Sequence, residues 1–290
     1  MNHLKHWQIE ASPFIAQTTG PGFYCRGSVD EAVARIGFLI QNNQRLGLLT
    51  GAKGVGRSTL LRNLKQPLRK SNTGRFPHLI YVSSKGISAL EFVQRIANSF
   101  RSPIPAHSPT TTHVEQYWKQ IDDEFLAVAL QDEQIVLLID DVDHATPSVQ
   151  TVVARLMQLR GRPTCVLAFD DTSDQTIAEW MISESDLRIE LPQWDLAQTA
   201  DYFEFALDRV HAAEGLFDSQ AITRIQELAN GLPRRIIQLA ELGLVAGAVQ
   251  KVSQISAGLI EQVADEIPGF DAFEFAVNSR AHFPTHSQTI

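Results

Sequence analysis

Residues 51–59 read Gly51-Ala52-Lys53-Gly54-Val55-Gly56-Arg57-Ser58-Thr59, and this stretch decides the fold. An apolar run precedes it, Leu46-Gly47-Leu48-Leu49-Thr50, and a helix-prone run follows it, Leu60-Leu61-Arg62-Asn63-Leu64. Strand, glycine turn and helix in that order form the setting of a phosphate-binding loop. The glycines let successive backbone N–H groups turn toward one anion. The helix that follows brings its positive dipole end to the same point.

The spacing is Gly51, four residues, Gly56, a cation, then Ser58, which fits the Walker A pattern at every position but one. The pattern has lysine where this chain has Arg57. A lysine ammonium is compact and mobile, whereas a guanidinium is planar, forked and bulkier, so the exchange is not conservative. Three readings are open: Arg57 binds phosphate from an altered angle, Lys53 supplies the missing charge, or the loop is a relic that binds nucleotide weakly or not at all.

A second motif pairs with the first. Ile135-Val136-Leu137-Leu138-Ile139 is a continuous apolar run that ends in Asp140-Asp141. This is the Walker B arrangement: a buried strand carries carboxylates to the edge of the sheet where ligands of open α/β sheets bind. There Asp140 is expected to hold Mg2+ alongside the Ser58 hydroxyl. Asp141 is expected to orient and deprotonate the attacking water.

Around these motifs the chain alternates strand and helix patterns. Further strands are expected at 78–83, 164–169 and 187–191, the first of these apolar throughout as a buried parallel strand would be. Helices are expected at 28–42, 88–101, 114–130 and 148–159, with a short one at 174–180. Ser28 is expected to cap the first of them, with Glu31 as its capping-box partner. Residues 102–113, rich in Pro, Ser and Thr, read as a surface loop. Such alternation predicts a doubly wound parallel sheet. After Pro192 the pattern is helical only, at 197–213, 219–230, 233–249 and 256–266. The N-terminal arm carries Trp7, Pro13, Phe14, Phe23 and Tyr24, with a turn signal at Gly20-Pro21-Gly22. Two readings are open for it: it packs beside a purine ring, or it covers the edge of the core.

Composition narrows the function classes. A length of 290 residues suits one or two domains, and a net charge of -8 provides no bulk positive field for nucleic acid or anionic membrane. Local basic side chains recur after the loop at Arg62, Lys65, Arg69 and Lys70, and these read as a solvated face or as a DNA contact. Two cysteines, Cys25 and Cys165, make no disulfide framework and fit a reducing cytosol. The N-terminus lacks the apolar core of a signal peptide, and no apolar stretch is long enough to cross a bilayer. The histidines show no metal-ligand spacing.

The chain resembles an AAA-type P-loop ATPase of the general secretion pathway protein A group, whose relatives include ATPases that assist transposition. The resemblance is carried by Pro13-Phe14, Phe23-Tyr24 ahead of Glu31-Ala32, the loop 51–59, the run Leu137 to Ala145, and Gly231-Leu232-Pro233-Arg234-Arg235-Ile236. It implies an α/β P-loop NTPase fold with a helical lid. The expected boundaries are an N-terminal arm and helix of the ATPase domain (1–45), a nucleotide-binding domain (46–192), the lid (193–267) and a polar tail (268–290). It implies ATP and Mg2+ as ligands and gives Arg234 the role of a lid arginine that reaches the nucleotide phosphates. Arg188 lies where the family carries an arginine that acts on a neighbouring subunit's nucleotide.

Three departures stand out: Arg57 for lysine, Asp141 for the family's usual glutamate, and acidic Asp170 and Asp171 where a polar sensor of the γ-phosphate is expected. Aspartate is one methylene shorter than glutamate, and mispositioning of that order can cost roughly a hundredfold in rate. The resemblance therefore implies a cytosolic Mg-ATP hydrolase or nucleotide switch acting on a protein partner, with self-association possible. The alternatives are a catalytically impaired scaffold and a DNA-associated ATPase of the transposition type. The membrane-spanning and peptidoglycan-binding segments of the family's secretion proteins are not read in these 290 residues, so the expectation is against a cell-envelope role.

Overall fold

The computed structural model describes residues 2–14, 22–71, 77–100, 113–171 and 177–267. Residues 102–112 of the expected loop, the Gly20-Pro21 part of the turn signal, the start of the helix expected at 174–180 and the polar tail lie outside the described residues, while His113 already opens a helix. The chain divides into two compact units, Ala16–Gln193, and Met1–Ile15 together with Trp194–Ile290.

A one-turn helix, α1 (Asn2–His6), opens the chain and belongs to the second, helical unit. The α/β unit then runs through α2 (Ser28–Gln41), β1 (Leu46–Thr50), α3 (Arg57–Asn63), α4 (Lys65–Ser71), β2 (His78–Ser83), α5 (Ala89–Ala97) and α6 (His113–Leu130). It continues through β3 (Ile135–Asp140), a 3-10 turn (Val142–His144), α7 (Pro147–Met157), β4 (Thr164–Ala168), α8 (Glu179–Ser183) and β5 (Leu187–Glu190).

All strand pairs are parallel, and the five-stranded sheet has the order β2-β3-β4-β1-β5. This order explains the sequence of each strand. Every residue of β1, β3 and β4 is buried, and these are the central strands, covered on both faces. β2 and β5 alternate in burial and lie at the two edges. Parallel pairing also sends every strand's C-terminal end to one edge of the sheet. Thr50 stands beside Glu190, and Ser83 beside Asp140. The segments that follow β1, β2, β3 and β4 all emerge there.

Local signals set the helix ends, with one correction. Gly27, at φ 56°, is the N-cap of α2, with no side-chain cap; Ser28 is already inside the helix. Glu31 instead pairs with Arg35 one turn on, at 2.6 Å. The capping box falls on α5, where Ser88 accepts from the Glu91 N–H and the Glu91 carboxylate accepts from the Ser88 N–H. The short helix expected at 174–180 is found at Glu179–Ser183.

The helical unit adds α9 (Leu196–Asp208), α10 (Ser219–Ala229), α11 (Pro233–Gln250) and α12 (Ala257–Asp265). Asp195 and Asp218 cap α9 and α10, and Pro233 starts α11, where a missing N–H costs nothing. α10, α11 and α12 pack on one another, and α1 packs on α11. Phe14 is fully buried against Phe203 and Phe217, with ring centroids 4.9 and 5.5 Å away. Trp7 donates its indole N–H to the Leu244 carbonyl at 2.8 Å and lies over Gly247. Trp7 and Phe14 are therefore core residues of this unit, which answers the choice left open for them: they are not free to lie against a base.

Candidate functional site

The loop 51–59 leaves the end of β1 and enters α3. At Gly51 φ is 148°, and a methyl group there would strike the Leu191 carbonyl oxygen at the end of β5. Gly56 has φ 109° and is the N-cap of α3; no side chain caps this helix. Its first backbone N–H groups are thus left for an external acceptor. Lys53 is exposed at the loop, and Ser58 and Thr59 are half-buried. Just beneath the loop, the hydroxyl of Thr50 is buried with no hydrogen-bond partner among the described residues.

Arg57 does not point out of the loop. Its guanidinium Nη1 donates to the Gly51 carbonyl and, at 2.5 Å, to the Phe169 carbonyl just past β4. Its Nη2 lies 3.8 Å from the Asp170 carboxylate. The group is drawn to two carbonyls and one carboxylate at the ends of neighbouring strands. Asp171, next along, has its carboxyl pushed up from the ordinary value by burial first and by Asp170 second, with Arg57 acting against both.

β3 brings the second motif to the same edge, and α3 packs against β3. Asp140 is 2% exposed. Its Oδ2 accepts from the Tyr81 hydroxyl at 2.7 Å, and its Oδ1 accepts from the Asp141 N–H at 3.0 Å. Tyr81 in turn accepts from the Arg62 guanidinium at 3.1 Å. Asp141 is in the left-handed region at φ 57°, which Asp tolerates better than most residues. This turn of the backbone sets its carboxylate on the Ser83 hydroxyl, at 2.7 Å. Ser84 fixes the turn by donating to the carbonyls of Asp140 and Asp141, at 2.9 and 2.8 Å.

The groups gathered at this edge suit an Mg-nucleotide. Ser58 and Asp140 offer hard oxygen ligands, the type Mg2+ prefers. Asp140 keeps lone pairs beyond those already engaged. The glycine loop is shaped by contacts that exclude side chains at Gly51.

The remaining residues singled out in the sequence lie elsewhere. Arg188 is an exposed residue within β5, beside Leu48 of β1. Arg234 is exposed in the first turn of α11, in the helical unit, while its neighbour Arg235 is half-buried and held below the ordinary arginine range by desolvation. Gly231 before them has φ 65°, and its carbonyl accepts from the Trp194 N–H at 2.8 Å. Four residues of the site escaped the sequence reading: Tyr81, Ser83, Ser84 and Asp170 as a partner of Arg57. Only the neighbouring positions of β2 with β3, and of β4 with β1, bring them in.

Comparison with known proteins agrees with this architecture. Residues 40–179 match the AAA domain family. General secretion pathway protein A of Aeromonas hydrophila is 23% identical over 286 residues, which cover 92% of this chain but only 49% of that protein. The chain thus spans about half the length of that curated relative. Among solved structures, Cdc6p from Pyrobaculum aerophilum superimposes with a TM-score of 0.69 at 16% identity, over 89% of this chain and 71% of that one. The RuvB Holliday junction branch migration motor of Thermotoga maritima gives 0.56 at 14% identity, over 94% and 82%. Likeness at these identities shows a shared fold.

Proposed function

We propose that this chain, whose residues 40–179 match the AAA domain family, binds Mg-ATP at residues 51–59 and acts as a slow ATPase or nucleotide switch on a protein partner. One observation carries this reading: the glycine loop after β1 and the Asp140-Asp141 pair after β3 emerge at the same edge of one parallel sheet. In this reading Ser58 and Asp140 hold the metal ion, and the loop N–H groups hold the phosphates. Bound Mg2+ would supply charge neutralisation on the phosphate oxygens. Asp141, fixed by Ser83, orients a water and takes its proton. Resemblance assigns Arg234 to the nucleotide phosphates and Arg188 to a neighbouring copy's site. A cytoplasmic location and self-association belong to the same proposal.

A second reading, a loop that binds without turnover, is favoured by the engagement of Arg57 with the strand ends. The two readings separate in one set of measurements on the full chain. Calorimetric titration with Mg-ATP should show binding, and Asp140→Asn and Arg57→Ala should each weaken it at least about tenfold. Unchanged affinity in both variants overturns the nucleotide reading. Phosphate release by the unsubstituted protein, lost in Asp141→Asn, supports the ATPase; binding without any release supports the scaffold.

A further inference from the structure

The environment of Arg57 contains more than a substitution in a motif. Nη1 bridges two carbonyl groups, Gly51 after β1 and Phe169 after β4, and β1 and β4 are neighbours in the sheet. Nη2 faces Asp170 at 3.8 Å, and the two side chains are 13% and 14% exposed. We propose that Asp170 is a positioning residue that competes with nucleotide phosphate for Arg57, so that binding exchanges one anion for another on the same guanidinium. This rests on the reading of residues 51–59 as a nucleotide site, and it adds a regulatory element to that site.

First, the pair is sheltered from solvent, so its attraction is screened less than that of a surface pair. Second, the 3.8 Å between Arg57 Nη2 and Asp170 Oδ2 is longer than a hydrogen bond. A phosphate offers bidentate, charge-assisted hydrogen bonds in the geometry that arginine prefers. Third, departure of Arg57 has a cost. Asp170 and Asp171 adjoin, Glu190 is a further negative group near Asp171, and Arg57 is the cation acting on that carboxyl. Losing it leaves like charges facing one another. Asp170 therefore sets the threshold that nucleotide must overcome.

The test uses the full chain, with Mg-ATP as the calorimetric probe and melting without nucleotide as a check of folding. Asp170→Asn removes the competitor, and affinity should rise roughly tenfold. The same substitution in an Arg57→Ala background should give no gain, because nothing is left to release. Asp170→Glu adds one methylene of reach, which allows the carboxylate to close the 3.8 Å gap to the guanidinium, and should weaken binding, a result that stands even if the amide variant does not fold. An equal gain in both backgrounds overturns the exchange and leaves Asp170 as a plain repulsive charge. Unchanged affinity in Asp170→Asn or in Asp170→Glu overturns it as well, leaving Arg57 as a permanent tie between strand ends. If the unsubstituted protein binds Mg-ATP and the variants do not differ from it, only this inference falls. If neither the unsubstituted protein nor any variant binds, the nucleotide reading falls with it.

Discussion

The Tyr81 hydroxyl donates to Asp140 Oδ2 across 2.7 Å while accepting from Arg62 at 3.1 Å. A buried carboxylate at the end of β3 is thus linked through a phenol on β2 to an exposed cation on α3. Burial first, and the Asp140 carboxylate second, push the Tyr81 phenol up from its ordinary value, so it stays protonated and remains a donor at any physiological pH.

Tyr81→Phe deletes that donor without removing the ring. Asp140 is then left with one hydrogen bond fewer, and the expected loss is about 1–3 kcal/mol of stability. Urea unfolding without nucleotide measures it. Adding Mg-ATP should recover part of the loss, since a bound cation gives the carboxylate a new partner.

Gly51→Ala tests the loop geometry. At φ 148° an L side chain is strained, and its methyl group meets the backbone of Leu191, which cannot rotate aside. A drop of at least about 1 kcal/mol in stability is expected, together with weakened nucleotide binding. A melting curve showing no change would mean that the loop and the end of β5 yield more easily than this contact implies.

Phe14→Ala should damage the helical unit. The ring is fully buried between Phe203, Phe217 and Tyr202. Its removal is expected to cost about 3–5 kcal/mol, read from urea unfolding followed by circular dichroism.

Asp171→Asn should stabilise the protein at neutral pH. In the folded chain its carboxyl is raised above the ordinary value of 3.8, so the fold favours the protonated form. That contribution is fully present below 3.8 and is lost as pH rises through the folded value. At pH 7 the charge opposes folding, and the amide removes the opposition. The gain in melting temperature should shrink as pH falls toward 4, which a series of melts from pH 4 to 8 would show.

Much of the α/β unit was legible because its signals are local. The strands β2 and β3 are apolar runs bounded by polar residues, and the glycine loop needs a strand before it and a helix after it. What the sequence could not show was which strands are neighbours. Parallel strands meet through crossovers, so β4 lies between β1 and β3 although the chain makes β2 between them. Arg57 and Phe169 are 112 positions apart, and nothing near either one announces the other. Asp170 and Asp171 looked only like repulsive charges for the same reason. The Ser28 cap failed on a finer point: Gly27 competes for the same place, and its positive φ decides the helix start. Trp7 and Phe14 were ambiguous because an aromatic residue reads alike whether it meets a base or a core.

The grouping of residues 1–15 with those after 193 makes the α/β unit an insertion within the helical one. The chain crosses between the two units twice, so a cut at one crossing still leaves them joined by the other. A fragment beginning at residue 16 would lack Trp7 and Phe14, and its helical part would carry a hole at its centre where Phe14 sat. Separating the α/β unit cleanly from its helical companion therefore takes two breaks. Any attempt to express the helical part by itself has to rejoin residue 15 to residue 194 through a new linker.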